Sequence, residues 1–126
     1  MAELILKDEC YKIIGLCMKV HTKLGRGFKE IVYKDALELE LKAAGIPYER
    51  EKEFQVQYDD GKLPRKFRVD FWIYNLIVLE AKARRTISMD IFRDMINYLK
   101  TSRVELGLLV NFGNDRLFFK RVVCSY

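Results

Sequence analysis

The chain has 126 residues, 50% of them hydrophobic and 33% charged, with 7 Gly and 2 Pro; this excludes a disordered, fibrous or low-complexity segment and suits one domain over residues 1–126. Its 23 Lys and Arg against 18 Asp and Glu leave a net charge of +5, compatible with a polyanionic partner without requiring one. Cys10, Cys17 and Cys124 follow no zinc-binding spacing, no apolar run approaches the roughly 18 residues of a membrane span, and the N-terminus lacks an export signal, so a cytoplasmic protein with reduced thiols is expected.

Leu6, Cys10, Ile13, Ile14, Cys17, Val20 and Leu24 recur at three- and four-residue intervals, which predicts an amphipathic helix over residues 4–23. Gly25 and Gly27 end it. A second helix is expected over residues 28–44, closed by Gly45 and Pro47. Phe28, Ile31, Val32, Ala36, Leu39 and Ala43 read as its main apolar stripe, with Glu30, Tyr33 and Leu37 on an adjoining face. Strand-like segments follow at 53–58, 67–74 and 76–83. Asp60 and Gly61 in DDGK are suited to the positive φ of a hairpin turn, and Asn75 marks a second tight connection, so an antiparallel meander is expected. Ser88 and Asp90 open a helix over residues 89–101 with Ile91, Phe92, Met95, Tyr98 and Leu99 inward. An apolar strand at 104–112 and an alternating one at 116–123 complete the order ααβββαββ. A helix between strands brings them back parallel, so the fold class is α/β (α+β): a mixed central sheet flanked by helices.

The stretch IVLEAKARR, residues 77–85, puts two charges in an apolar strand. Alternation places Val78, Glu80 and Lys82 on one face. A solvated pair on the wet side of a sheet, worth about 0.5 kcal/mol, has the same pattern. Asp70 is harder to explain in that way. It stands among Val69, Phe71, Trp72 and Ile73, where a carboxylate is costly unless something binds it. Asp70 and Glu80 are each five residues from Asn75, so equal spacing sets them opposite each other on neighbouring strands. Two carboxylates about 5 Å apart repel by a few kcal/mol at an effective dielectric near 20, and a divalent cation reverses the sign. Oxygen donors without His or Cys favour Mg²⁺ or Mn²⁺ over zinc. Lys82 stands where it would orient a water or neutralise charge on a phosphate.

Asp70, followed after nine residues by Glu80-Ala81-Lys82, resembles the signature of the PD-(D/E)XK nucleases. Gly27, Glu30 and Tyr33, in GFKEIVY, resemble the motif of the GxxExxY family within that superfamily. The segments ALELELKAAGIPYEREKEF, FRVDFWIYNLIVLEAKA, INYLK and LGLLVNFGNDRLFFKRV are similar to family segments in family order. The resemblance implies a restriction-endonuclease-like αβββαβ core and metal-dependent hydrolysis of phosphodiesters in nucleic acid, DNA foremost. It implies Asp70 and Glu80 as metal-binding acids, Glu30 as a helix acid near the metal, and Lys82 as the superfamily's lysine; the nuclease reading adds the Ala81 carbonyl as a ligand and has Glu30 bind a water of the metal shell or a second ion. Where the family it resembles commonly has a glutamine, just before the apolar pair and Asn-Tyr, this chain has Asp94. Asp90, Asp94 and Asn97 share one helix face, so Asp94 and Asn97 are either auxiliary to the site or solvated.

Arg84 and Arg85 leave the end of the Glu80 strand, and Arg65, Lys66 and Arg68 lie on the preceding one. Each is a candidate phosphate contact or a solvated charge. Tyr33 reads as packing or as a phosphate donor, His21 as a helix-end cation or packed ring, and Trp72 as sheet core or a base-stacking platform. The alternative to an enzyme is a nuclease-fold module whose chemistry has lapsed and which binds nucleic acid or a protein. A domain this small covers little of a duplex, which makes a homodimer a reasonable expectation.

Overall fold

The computed structural model describes residues 6–125. Helix α1 spans Lys7–Leu24 and buries Cys10, Ile13, Ile14, Cys17 and Val20, the stripe read from its periodicity. Its expected start at residues 4 and 5 lies outside the described residues. Gly25 ends it at φ 68°, a conformation that costs glycine little.

Helix α2, Glu30–Ala43, turns a different face inward from the one expected. Tyr33, Leu37 and Leu41 are fully buried, whereas Phe28, Ile31 and Leu39 are about half exposed or more, at 48%, 51% and 67%. The helix has two apolar stripes, and both satisfy the 3.6-residue period. Packing chose between them: Tyr33 stacks on Phe112 with centroids 4.7 Å apart, and its hydroxyl donates to the Gly25 carbonyl. The result turns Glu30 and Lys34 toward the sheet.

The strands are β1 Tyr48–Tyr58, β2 Gly61–Ile73, β3 Ile77–Lys82, β4 Leu106–Asn111 and β5 Phe118–Val123, with helix α3 Met89–Ser102 joining β3 to β4. They form one sheet in the order β1-β2-β3-β4-β5, antiparallel except for the parallel β3–β4 pair that α3 bridges. The first hairpin is longer than its apolar pattern suggests, because half of β1 is charged: Glu49, Glu51 and Glu53 point to solvent while Arg50 and Lys52 are half-buried. Its turn takes positive φ at Asp59 rather than at Asp60 or Gly61. Ser88 stands at the N-cap of α3, but its side chain makes no capping bond.

Two apolar cores cover the sheet. On one face α1 and α2 pack on Phe71, Ile73, Ile77, Leu79, Leu106, Leu108 and Val110. On the other, Ile91, Met95 and Leu99 of α3 pack on Val69, Val78 and Leu109. Every residue of β4 is buried, as a strand covered on both faces requires. Among the described residues, no helix is long and apolar enough to cross a membrane.

Candidate active site

Strands β2 and β3 pair at Phe71↔Leu79, Trp72↔Val78 and Ile73↔Ile77. The same register would next oppose Asp70 to Glu80, and there the ladder gives way to side chains. The Asp70 N–H donates to Glu80 Oε1 at 3.0 Å, and the Ala81 N–H donates to Asp70 Oδ2 at 2.9 Å. Each carboxylate thus replaces a backbone acceptor that the diverging strands have withdrawn. The two acids meet in the seam between strands, 7% and 5% exposed.

Burial pushes the Glu80 carboxyl well above the usual carboxylate range, and the neighbouring Asp70 charge adds to it; the Asp70 N–H bond and the Lys82 ammonium act the other way. Asp70 has a partner that sequence reasoning missed. Lys34, from α2, places Nζ 2.7 Å from Asp70 Oδ1 and 3.1 Å from Glu30 Oε2. Burial lowers the Lys34 pKa, but its bonds to Asp70 and Glu30 and their charges outweigh this, leaving it above its ordinary value. The only sign of Lys34 in the sequence is its i,i+4 spacing from Glu30, which surface helices also show.

Lys82 is half-buried one strand step beyond Glu80, and its carbonyl accepts from the Phe112 N–H at 2.8 Å. Tyr98 of α3 is half-buried. Its hydroxyl is pushed up to about 12 by burial and then by Glu80, Asp94 and Asp70. Asp94 and Asn97 themselves are exposed.

Beyond Lys82 the chain is clamped. Asn111, 1% exposed, accepts from the Arg84 N–H at 2.9 Å and the Gly113 N–H at 3.1 Å, and donates to the Arg84 carbonyl at 2.7 Å. Asn114 donates to the Arg85 carbonyl at 3.1 Å, while its own carbonyl accepts from His21 Nε2 at 2.8 Å. A Cβ at Gly113 would lie 2.3 Å from the Arg84 carbonyl oxygen, so only glycine fits there. The clamp holds the Arg84–Arg85 backbone while both side chains remain exposed. Its signal in the sequence is the single polar residue, Asn111, ending an apolar run. Arg68 and Lys66, by contrast, are drawn to Glu53 across the hairpin, at 2.7 and 3.9 Å. Tyr33 is fully buried against Phe112, with its hydroxyl committed to the α1–α2 loop.

Among the described residues, no group of three or more His, Cys, Asp or Glu side chains gathers closely enough to hold an ion. Asp70 and Glu80 meet directly, whereas Glu30 reaches Asp70 only through Lys34. The donor set still suits a hard cation, because Mg²⁺ is commonly bound through one or two carboxylates and completes its shell with water. A buried carboxylate pair that already draws in an ammonium is a place where positive charge is stabilised.

The element order, the mixed sheet and its flanking helices define a restriction-endonuclease-like α+β domain. The sequence profile of the PD-(D/E)XK nuclease superfamily matches residues 7–122, and the chain belongs to that superfamily. Among solved structures, the one titled "Crystal structure of SSO0001" is similar to this chain, with 24% identity and a TM-score of 0.61 over 75% of this chain and 50% of that one. The present chain therefore spans about half the length of that protein, and the likeness is one of fold. No curated protein matches the sequence significantly.

Proposed function

We propose that this domain is a metal-dependent nuclease of the GxxExxY type that hydrolyses phosphodiester bonds in nucleic acid, DNA foremost. The observation that carries the reading is the seam: two buried carboxylates meet where a ladder stops, with a lysine one strand step beyond. Asp70 and Glu80, with the Ala81 carbonyl, would hold Mg²⁺ or Mn²⁺. The ion, when bound, supplies Lewis-acid stabilisation of the phosphodiester and lowers the pKa of water at the site. Lys82 orients the attacking water and offsets charge on the phosphate. Arg84 and Arg85, presented by the clamped turn, take phosphates flanking the scissile one. Lys66 and Arg68 do the same only by leaving Glu53. Asp94 and Asn97, exposed on α3, contact substrate or remain hydrated. A cytoplasmic location suits the free cysteines, and a homodimer would extend the contact along a duplex.

A second reading is favoured by one observation. Lys34 is paired with Asp70 within the protein itself, an internal counter-charge that also suits a lapsed nuclease that binds nucleic acid or a protein partner. Cleavage of plasmid and oligonucleotide substrates with Mg²⁺ or Mn²⁺ decides between them. Under the enzyme reading, Asp70→Ala and Lys82→Ala each abolish cleavage while the domain stays folded. Cleavage that survives both substitutions refutes the assignment.

A further inference from the structure

Lys34 raises the question of how a cation gains Asp70, and any exchange between the two rests on the metal-dependent reading proposed above. Both Asp70 oxygens are already engaged: Oδ2 by the Ala81 N–H at 2.9 Å and Oδ1 by Lys34 Nζ at 2.7 Å. A hard cation that takes Asp70 into its inner shell therefore competes for an oxygen held in an ion pair. The Lys34 side chain is only 11% exposed, so water screens that pair poorly.

Lys34 has a second acceptor in a different part of the fold. Asp70 belongs to β2, but Glu30 lies one helical turn before Lys34 on α2 itself, with Oε2 at 3.1 Å. Losing Asp70 need not strand the ammonium without a counter-charge. The bridge between helix and sheet thus has one arm that a metal would take over and one arm that it would leave.

We propose that Lys34 is the resident counter-ion of the acidic seam, and that divalent-cation binding is an exchange in which Lys34 gives up Asp70 and stays on Glu30. Glu30 then influences the metal only through Lys34 and is not itself a ligand. Lys34 is a positioning residue: it sets ion affinity and keeps the metal-free seam closed, without touching the phosphate.

Calorimetric titration of Mn²⁺ into the metal-stripped chain at fixed pH and ionic strength tests this, with folding checked by circular dichroism. Lys34→Gln should bind Mn²⁺ about tenfold more tightly, with the charge competitor removed. Lys34→Arg should stay near wild type. Glu30→Gln should weaken binding several-fold in the wild-type background and leave it unchanged in the Lys34→Gln background, because the two residues act as one unit. Metal-free Lys34→Gln should melt at lower temperature than wild type and gain more from Mn²⁺. Three results overturn the inference: a folded Lys34→Gln that binds no more tightly, a Lys34→Arg that tightens like Lys34→Gln, or a Glu30→Gln loss that persists without Lys34. If wild type binds Mn²⁺ through Glu80 but Lys34→Gln changes nothing, only this inference falls. If wild type binds no Mn²⁺, the metal-dependent reading falls with it.

Discussion

Strand β3 has two unlike neighbours. With β4 it forms six consecutive parallel pairs, from Ile77↔Leu106 to Lys82↔Asn111. With β2 it forms three antiparallel pairs and then parts. On the continuous side β4 is buried throughout and apolar apart from Asn111, whose amide makes three hydrogen bonds in the turn clamp. The parted side leaves backbone N–H groups without ladder partners, and Asp70 and Glu80 fill them. A sheet can carry buried acids where its hydrogen-bond ladder fails, because the freed N–H groups there stabilise carboxylates that the apolar surroundings would not.

If the two sides of β3 divide labour in this way, damage to each should read out differently. The largest effect belongs to the parted side: Glu80→Gln should reduce metal-dependent cleavage by about 10³-fold or more, about 4 kcal/mol of barrier, measured as the initial rate of plasmid nicking. On the continuous side Leu108→Ala, at a fully buried site of β4, should lower unfolding free energy by about 3 kcal/mol in urea titrations and leave the Mn²⁺ affinity of the folded fraction unchanged. Asn111→Ala should cost about 2 kcal/mol by orphaning the Arg84 and Gly113 amides, and should also weaken nucleic-acid binding as Arg84 and Arg85 lose their fixed backbone.

A smaller effect has the opposite sign. The folded-state pKa of Glu80 is raised above the unfolded value, so the stability of its neutral form is complete below about pH 4.5 and is lost as pH rises toward the folded pKa. Metal-free wild type should therefore lose stability above that pH relative to Glu80→Gln. The variant should be the more stable protein at pH 8, read as a difference in urea midpoint in the presence of chelator. A substitution that destroys activity while strengthening the fold would mark the parted side as built for function. Smallest of all, Leu39→Ser on the outward stripe of α2 should change stability by less than about 0.5 kcal/mol, whereas Leu37→Ala on the inward stripe should cost about 3 kcal/mol.

The α2 result shows where periodicity stops being informative. The apolar positions beginning with Phe28, Ile31 and Val32 obey helical spacing, as do Tyr33, Leu37 and Leu41. A hydrophobic pattern reports that a face exists, not which of two faces finds a partner. The ring of Phe112, far along the chain in the segment after β4, chose Tyr33. The same rotation carried Lys34 onto Asp70, so the missed lysine and the misread stripe have one cause.

The sequence by itself determined the element order, the mixed sheet and the opposition of Asp70 to Glu80. These follow from local periods of 2 and 3.6 residues, from turn residues near Asp59 and Asn75, and from a strand register that one tight turn fixes. Only the tertiary structure decided that the ladder parts at those acids, that Lys34 crosses from a helix to neutralise one of them, and that Asn111 and Gly113 seize the turn at Arg84. Each of those contacts joins segments distant along the chain, and its energy depends on packing and burial that no local pattern encodes.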